Sequence, residues 1–480
     1  MAVPAPVSVR AVGASLPDLR VASTDIAAAW GGRAKGTVRV CDFDQDPLTL
    51  AWDAATAALA LAGVNPAEVD HLAWGVARPP FAEGPSHALL AASLEVPPDS
   101  EGALFAGSPT AGLEALFSAW DAIAAHAARV ALVVASEATI PGPGTSLETR
   151  TGAGAVAFVL SGAGGSARLV ARASRSRPTI DRYRGDREPA SRDLYDGRLF
   201  REEVFLPETS ALATALAADV ESWSLPDPDG RLGAALSKRL GGELASAELF
   251  ARAGETGAAA PLLGLLPALT KAGRSGAIAH GGGRTLGVAV EADAAVPGAD
   301  TLAGLLDDGR DVPYTTALRS RGLLEPTGES VPMGVPPGSA QFVRGGRELL
   351  SLQGARCVDC GAIATPPDTH PSCLSCGGGK LEVVPLARAG GVHTFFVNFA
   401  MPPPFIAPLP IAILDLDDGS RLMLQVTGGA EDLQIGERVE LVLRRHLVER
   451  GAPVYGFKAR RSASRTPEAR RARRPRGVRT

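Results

Sequence analysis

Residues 105–138, FAGSPTAGLEALFSAWDAIAAHAARVALVVASEA, decide how most of this chain folds. Leu113 to Ala128 predicts a helix, and Val130 to Ala135 (VALVVA) is a continuous apolar run of strand length. The next segment, SLETRTGAGAVAFVLSG at 146–162, passes through a Gly-rich turn into a second such run, Ala155 to Leu160 (AVAFVL). Short β-like runs alternate with Ala/Leu-rich helical stretches from residue 1 to about residue 295, which is the pattern of a layered α/β domain.

Beyond that domain the character of the sequence changes twice. Pro297 to Val343 is rich in Pro, Gly and charge, with short apolar patches around Leu302 and Leu318, and is expected to be an extended connector (296–344). From Gly345 a short helix-like stretch, GGRELLSLQ, precedes a cysteine cluster (345–385). Alternating β-rich segments follow, VHTFFVNF, IAILDLDDGSRLMLQV and ERVELVLRRHL, with Asp418-Gly419 as a hairpin turn. They predict a small antiparallel barrel over 386–462.

With 480 residues, 45% apolar and 21% charged, the chain has room for two to four domains. The N-terminal MAVPAPVSVRAV has no basic n-region followed by an apolar core, and no run of about 18 apolar residues occurs, so a cytoplasmic location and no membrane partner are expected. The net charge of -4 conceals an asymmetry: Ala459 to Thr480 holds nine Arg against one Glu, leaving the rest near -12. That basic tail (463–480) is expected to be disordered.

Four of the five cysteines, Cys357, Cys360, Cys373 and Cys376, are spaced C-x2-C-x12-C-x2-C, with Gly361 and Gly377 just after the two pairs. Two such knuckles can place four thiolates around one zinc ion. Two disulfides or a redox dithiol are the alternatives, and both fit a cytoplasmic chain less well. Four thiolates close the coordination shell, so the zinc would hold structure and not catalyse.

The ribbon is followed by GGVHTFFVNFAMPPPFIAPLPIAILDLDDGSRLMLQV (390–426), LQIGERVELVL and VYGF. This C-terminal part, about Gly345 to Arg461, resembles the zinc-ribbon/OB-fold family associated with acyl-CoA thiolases and with steroid-side-chain hydratases and aldolases. The resemblance implies a module that handles acyl-CoA beside a thiolase-type partner enzyme. Phe395, Phe396, Phe399 and Phe405 are candidates to line its acyl-CoA groove, and a plain core role for them stays open.

A second resemblance spans roughly Val7 to Glu291. DFDQDPLTLAWDAATAALALAGVNPAEVDHLAWGV (42–76), the two segments quoted first, and the stretches YDGRLFREEVF, LPDPDGRLGAALSKRL, AGETGAAAPLLGLLPALTKAG and AIAHGGGRTLGVAVE are similar to HMG-CoA synthases and their ketosynthase relatives. It implies a thiolase fold over 1–295, with two similar halves, five layers and a homodimer. The family's chemistry uses a nucleophilic Cys, a His and Asn pair, and a Glu acid/base. Here Gly107 or Ser108 stands where the Cys belongs, Pro226 in the His position, Glu255 for the Asn and Ala77 for the Glu.

The leading expectation is therefore an acyl-CoA-binding scaffold or transfer subunit without autonomous activity. Another is an active acyltransferase or C-C lyase using Ser108, the carboxylates Asp227, Asp229 and Glu255, and His280 just before the Gly281 to Gly283 turn. A third, nucleic-acid binding through the OB-fold and the tail, rests on fold analogy and is the least favoured.

Overall fold

Helix Pro47–Ala62 shows how local chemistry sets the elements of the first unit. The Asp46 carboxylate accepts from the amides of Leu48 and Thr49, the Thr49 hydroxyl accepts from the Asp46 amide, and Pro47 opens the first turn. Gly63, at φ +60°, ends the helix. Its buried face lies on strands Ser8–Ser15 and Ala153–Ser161.

The computed structural model describes residues 6–192, 196–216, 219–227, 230–324, 338–401, 405, 407–429 and 432–462, without the side chains of 339–341 and 344. Asp229 and the tail 463–480 lie outside them. The chain divides into two compact units, one built from Met1–Thr327 and the other from most of Gly328–Thr480.

The first unit contains one ten-stranded mixed sheet. One end runs Glu101–Ala106, His71–Val76, Val130–Ala138, Ala153–Ser161, Ser8–Ser15, and the other Glu243–Leu244, Ser222–Ser224, Gly273–Gly281, Arg284–Ala292, Ala167–Ser176. Each set has the same order and directions: the first three strands are parallel, and the last two join antiparallel. Within the sheet the two sets join where Ser8 and Val9 pair with Arg168 and Ala167. The expected duplication is thus visible in strand order.

Helix Ala111–Ala124 follows the strand Glu101–Ala106, and the equivalent stretch of the second half covers 257–270. There it is broken into 3-10, α and 3-10 pieces, because Pro261, Gly264 and Pro267 interrupt the helical ladder. Both stretches touch strands of both halves and one another, so they form a central layer between the sheets. Pro47–Ala62 covers the outer face of one half and Leu206–Leu216 that of the other, which completes five layers. Contact is tightest at two glycines: a Cβ on Gly75 would come within 2.2 Å of the Ala111 carbonyl oxygen, and one on Gly112 within 2.1 Å of that of Ala258.

The stretch read as an extended connector contains regular structure. Arg310–Asp311 pairs parallel with Leu19 and Arg20, between helices Thr301–Asp307 and Tyr314–Ser320. Leu302, Leu306 and Ala317 are buried, so the isolated apolar residues of this segment are anchors into the first unit.

In the second unit, helix Ser339–Leu349 leads into a three-stranded antiparallel ribbon, Gln353–Cys357, Ile363–Ala364 and Leu381–Pro385. A closed five-stranded barrel follows in the order Ala389–Asn398, Leu409–Leu416, Arg421–Thr427, Ala452–Arg461, Arg438–Glu449. The barrel is not wholly antiparallel as the sequence suggests. Val426 and Thr427 pair parallel with Ala459 and Arg460, since the chain passes from Arg421–Thr427 to Arg438–Glu449 before returning as Ala452–Arg461 beside Arg421–Thr427. The Asp418-Gly419 turn joins Leu409–Leu416 to Arg421–Thr427, with Gly419 at φ +85°.

Candidate functional site

A cavity of about 250 Å³ opens in the first unit where segments of both halves converge. Its wall includes Pro109 from the turn before helix Ala111–Ala124, Ser146, Leu147, Arg150, Thr151, Asp181, Arg182 and Phe200. Pro226, Leu232, Glu255, Gly257 and His280 complete most of it. His280 comes from a strand end and Pro109 from the turn after a strand, while Phe200, Leu232 and Gly257 come from the first turns of helical segments.

Behind the cavity lies a charged cluster. Glu137, at the end of strand Val130–Ala138, is fully buried. Its carboxylate accepts from the amides of Ala77 at 3.1 Å, Ala138 at 3.2 Å and Ala258 at 3.4 Å. Gly257 permits this approach, because a Cβ there would sit 2.5 Å from the Glu137 carboxylate. Burial pushes the Glu137 carboxyl above its ordinary range, and the nearby Arg182 charge draws it partly back. Arg182 in turn pairs with Glu255 at 3.1 Å, with only 14% and 13% of the two side chains exposed. Glu255 also accepts from the Gly257 amide at 2.8 Å.

His280 closes another wall. It lies between the rings of Phe200 and Phe205, 5.5 and 5.4 Å away, and is 8% exposed. Nδ1 is 2.9 Å from the Thr285 hydroxyl, while the buried Nε2 has no hydrogen-bond partner among the described residues. Burial lowers its pKa, against the pull of Asp181 and Glu208. The imidazole is therefore biased to the neutral form.

Of the residues singled out in the sequence, Glu255 and His280 share this cavity. Ser108 does not line it. Its hydroxyl donates to the Gly281 carbonyl at 3.0 Å and accepts from the Thr110 amide at 3.2 Å, so it is engaged in the turn, and Pro109 is the residue that faces the cavity. Asp227 accepts from the Gly233 amide at 3.2 Å and likewise lies off the wall. Asp229 lies outside the described residues.

Glu137, Arg182 and Arg150 were missed by sequence reasoning. Glu137 did carry a signal, a lone carboxylate inside the apolar run VALVVASEA. Arg182 had none, being one of several arginines in RSRPTIDRYRGDR.

The loop 144–151 is held from the side. Tyr314 donates to the buried Glu148 at 2.6 Å and accepts from the Trp30 indole at 3.1 Å, while Arg321 donates to the Thr151 carbonyl. Burial and the bond to Glu148 push the Tyr314 pKa up to about 12. Tyr314→Phe should lower unfolding free energy by about 1.5 kcal/mol, read by denaturant titration, because it strips a donor from a buried carboxylate.

In the ribbon, the Sγ atoms of Cys357, Cys360, Cys373 and Cys376 all lie within 4.8 Å of one another. The pairs 357/376 and 360/373 are 3.7 and 3.5 Å apart. A zinc ion with Zn–S bonds of about 2.3 Å calls for sulfurs about 3.8 Å apart. The knuckles are copies of one another: Gly361 and Gly377 each sit at φ +76°, and each donates to the carbonyl of the Cys four residues earlier at 2.9 Å. The donor set fits a tetrahedral metal, which would tie the two knuckles together.

The four barrel phenylalanines do not share one face. Phe395 and Phe396 are neighbours on strand Ala389–Asn398 and point to opposite sides of it. Phe396 is 54% exposed and Phe399 75%, whereas Phe395 and Phe405 are partly buried.

Two duplicated sheet halves enclosing central helices define a thiolase-type α/β unit, and the closed barrel behind a ribbon defines an OB-fold unit. Residues 383–444 match the family described as ChsH2, C-terminal OB-fold domain. The hydroxymethylglutaryl-CoA synthase of Thermococcus sibiricus is 31% identical over 150 residues, covering 31% of this chain and 43% of the relative. That of Methanopyrus kandleri is 26% identical over 282 residues, covering 54% and 79%. The chain thus spans less than half the length of the first of these relatives. Among solved structures, MvaS in complex with 3-hydroxy-3-methylglutaryl coenzyme A superposes with a TM-score of 0.59 at 19% identity, covering 70% of this chain and 95% of that one. The priming β-ketosynthase of the R1128 polyketide pathway gives 0.52 at 20% identity, covering 62% and 99%. The chain is a fusion of a thiolase-fold, HMG-CoA synthase-like domain with a ChsH2-type OB-fold domain. Among the described residues, no helix is long and apolar enough to cross a membrane.

Proposed function

We propose that this protein binds acyl-CoA in the cavity of its thiolase-fold domain, has lost the Cys-His-Asn-Glu set of its relatives, and works as a scaffold or acyl-CoA transfer subunit beside a thiolase-type enzyme. One observation carries the reading: the segments that resemble the family's catalytic motifs do converge on a single cavity, yet they present Pro109, Pro226 and Glu255 to it. Among the described residues lining it there is no cysteine. A proline supplies neither a nucleophile nor a proton, and an ionised carboxylate held by Arg182 has no hydrogen to donate to a developing oxyanion.

In this reading the four cysteines hold a structural zinc, and the first unit forms a homodimer. The OB-fold domain receives the CoA-bearing arm, and the location is cytoplasmic. Calorimetry and a thiol-release assay with acetyl-CoA and acetoacetyl-CoA test it. Saturable binding without CoA release is the expected result. CoA release that disappears in Ser108→Ala or Glu255→Gln would establish altered chemistry and overturn it.

A further inference from the structure

The four ribbon cysteines differ in their access to solvent. Cys357 and Cys373, the first of each knuckle, are buried, whereas Cys360 and Cys376, the second of each, are exposed. The two shortest sulfur contacts cross between the knuckles, and each joins an exposed residue to a buried one: Cys360 to Cys373 at 3.5 Å and Cys376 to Cys357 at 3.7 Å. An exposed sulfur therefore has its nearest partner on the opposite knuckle.

Backbone bonds set the knuckles side by side. The Val358 amide donates to the Lys380 carbonyl at 3.1 Å, and Cys357 pairs with Leu381 in the antiparallel ladder. Each knuckle is also closed on itself, since the Cys357 amide donates to the Ala362 carbonyl and the Cys373 amide to the Gly378 carbonyl, both at 2.8 Å. Asp359 of the first knuckle lies against the second, where a Cβ on Gly378 would be 2.3 Å from its carboxylate and 3.3 Å from the Cys376 sulfur. A covalent bond between the knuckles would thus make the same closure that a shared metal makes.

We infer that the ribbon is a reversible redox switch, in which a hydroperoxide converts one cross-knuckle pair, Cys360 with Cys373 or Cys376 with Cys357, into a disulfide and frees the metal. This rests on the four-cysteine metal site proposed above. Metal coordination holds each sulfur as a thiolate, and oxidation follows thiolate character and access, so it begins at Cys360 or Cys376. That thiolate attacks the peroxide: an S–O bond forms, the O–O bond breaks, and the hydroxide released takes up a proton as water. The partner thiolate then attacks the sulfenic sulfur, forming the S–S bond and expelling a second hydroxide, which also becomes water. Two electrons pass from the two sulfurs to the peroxide. The two thiolates left over cannot close a tetrahedral shell, so the metal departs. A dithiol reductant returns both electrons by exchange and restores the site.

The test treats the full chain, purified with its metal, with hydrogen peroxide, and follows zinc release with a chromogenic chelator and disulfides by peptide mass mapping. Release of about one zinc per chain is expected, together with a 360–373 or 357–376 linkage, and dithiothreitol followed by zinc should restore the stoichiometry. Protease should cut within 357–385 more slowly in the peroxide-treated chain than in one stripped of metal by a chelator under reducing conditions, because the disulfide replaces the clamp. Cys41→Ser, which removes the fifth cysteine, should respond identically. Metal retained under peroxide, linkages confined within each knuckle, loss that dithiothreitol does not reverse, equal cleavage of the oxidised and stripped chains, or a response abolished in Cys41→Ser each overturns the inference while leaving the metal site standing. A purified chain that holds no metal refutes the site itself, and the inference falls with it.

Discussion

Cys373→Ser is expected to release the ribbon metal and unfold the segment from Cys357 to Pro385 while the thiolase-fold unit stays folded. The ribbon buries little: its strands have two to five residues, and Cys360 and Cys376 are exposed. Its closure depends on four sulfurs meeting at one point, and structural zinc sites in small domains contribute about 10–16 kcal/mol of apparent binding energy. Removing one thiolate takes away most of that and opens the shell to water. The unaltered protein should hold about one zinc per chain by elemental analysis, with the stoichiometry falling towards zero in the variant. Protease should then cut within 357–385 before it cuts the first unit. A variant that keeps stoichiometric metal and the same cleavage pattern would rule out the four-cysteine site.

The second large effect is expected at Arg182. Arg182→Met leaves Glu255 without its ion-pair partner and Glu137 without the charge that offsets its burial. Breaking a buried pair from one side costs about 3–5 kcal/mol, because the remaining carboxylate is desolvated and uncompensated. The loss should depend on pH. Burial already places the folded Glu137 carboxyl above its ordinary value of 4.5. Removing the positive charge raises it further. An acid whose folded pKa lies above its unfolded one favours the fold when protonated, and that advantage is lost as pH rises through the folded value. The deficit of Arg182→Met should therefore be largest near neutral pH and shrink as pH falls towards the unfolded carboxyl range. Urea midpoints across that interval read it directly, and a pH-independent deficit would show that lost packing, not charge, is responsible.

Much of the scaffold could be read from the chain because its cues are local. The helix expected over Leu113 to Ala128 is Ala111–Ala124, and the runs VALVVA and AVAFVL lie in neighbouring antiparallel strands. The cysteine spacing brought four sulfurs together. What stayed hidden was set by distant partners. Leu302, Leu306 and Ala317 looked too sparse to form structure, yet they are buried against an existing core that needs no help from periodicity. The parallel pairing of Val426 with Ala459 depends on a crossing that no short window contains.

The cavity followed the same division. Glu255 and His280 were found because they sit in motifs with family counterparts, whereas Glu137, Arg182 and Arg150 acquire meaning only through their neighbours. Ser108 was the opposite case. A hydroxyl at a helix start resembles a nucleophile in sequence, but its bonds to Gly281 and Thr110 give it a turn-forming role.

The two glycines that let the central helix touch its surroundings have a bearing on how such a protein changes over time. Gly75 and Gly112 allow no added carbon, so the helix cannot slide along its strand or turn about its axis. Five residues before Gly112, Gly107 has nothing within 4 Å of its missing side chain. At φ +92° that position still favours glycine, and the turn after it is packed, with Thr110 and Ala111 buried and Ser108 bonded to the Gly281 carbonyl. The architecture thus restricts exchange along the helix and its turn, and leaves the side chains that face the cavity as the positions freer to vary.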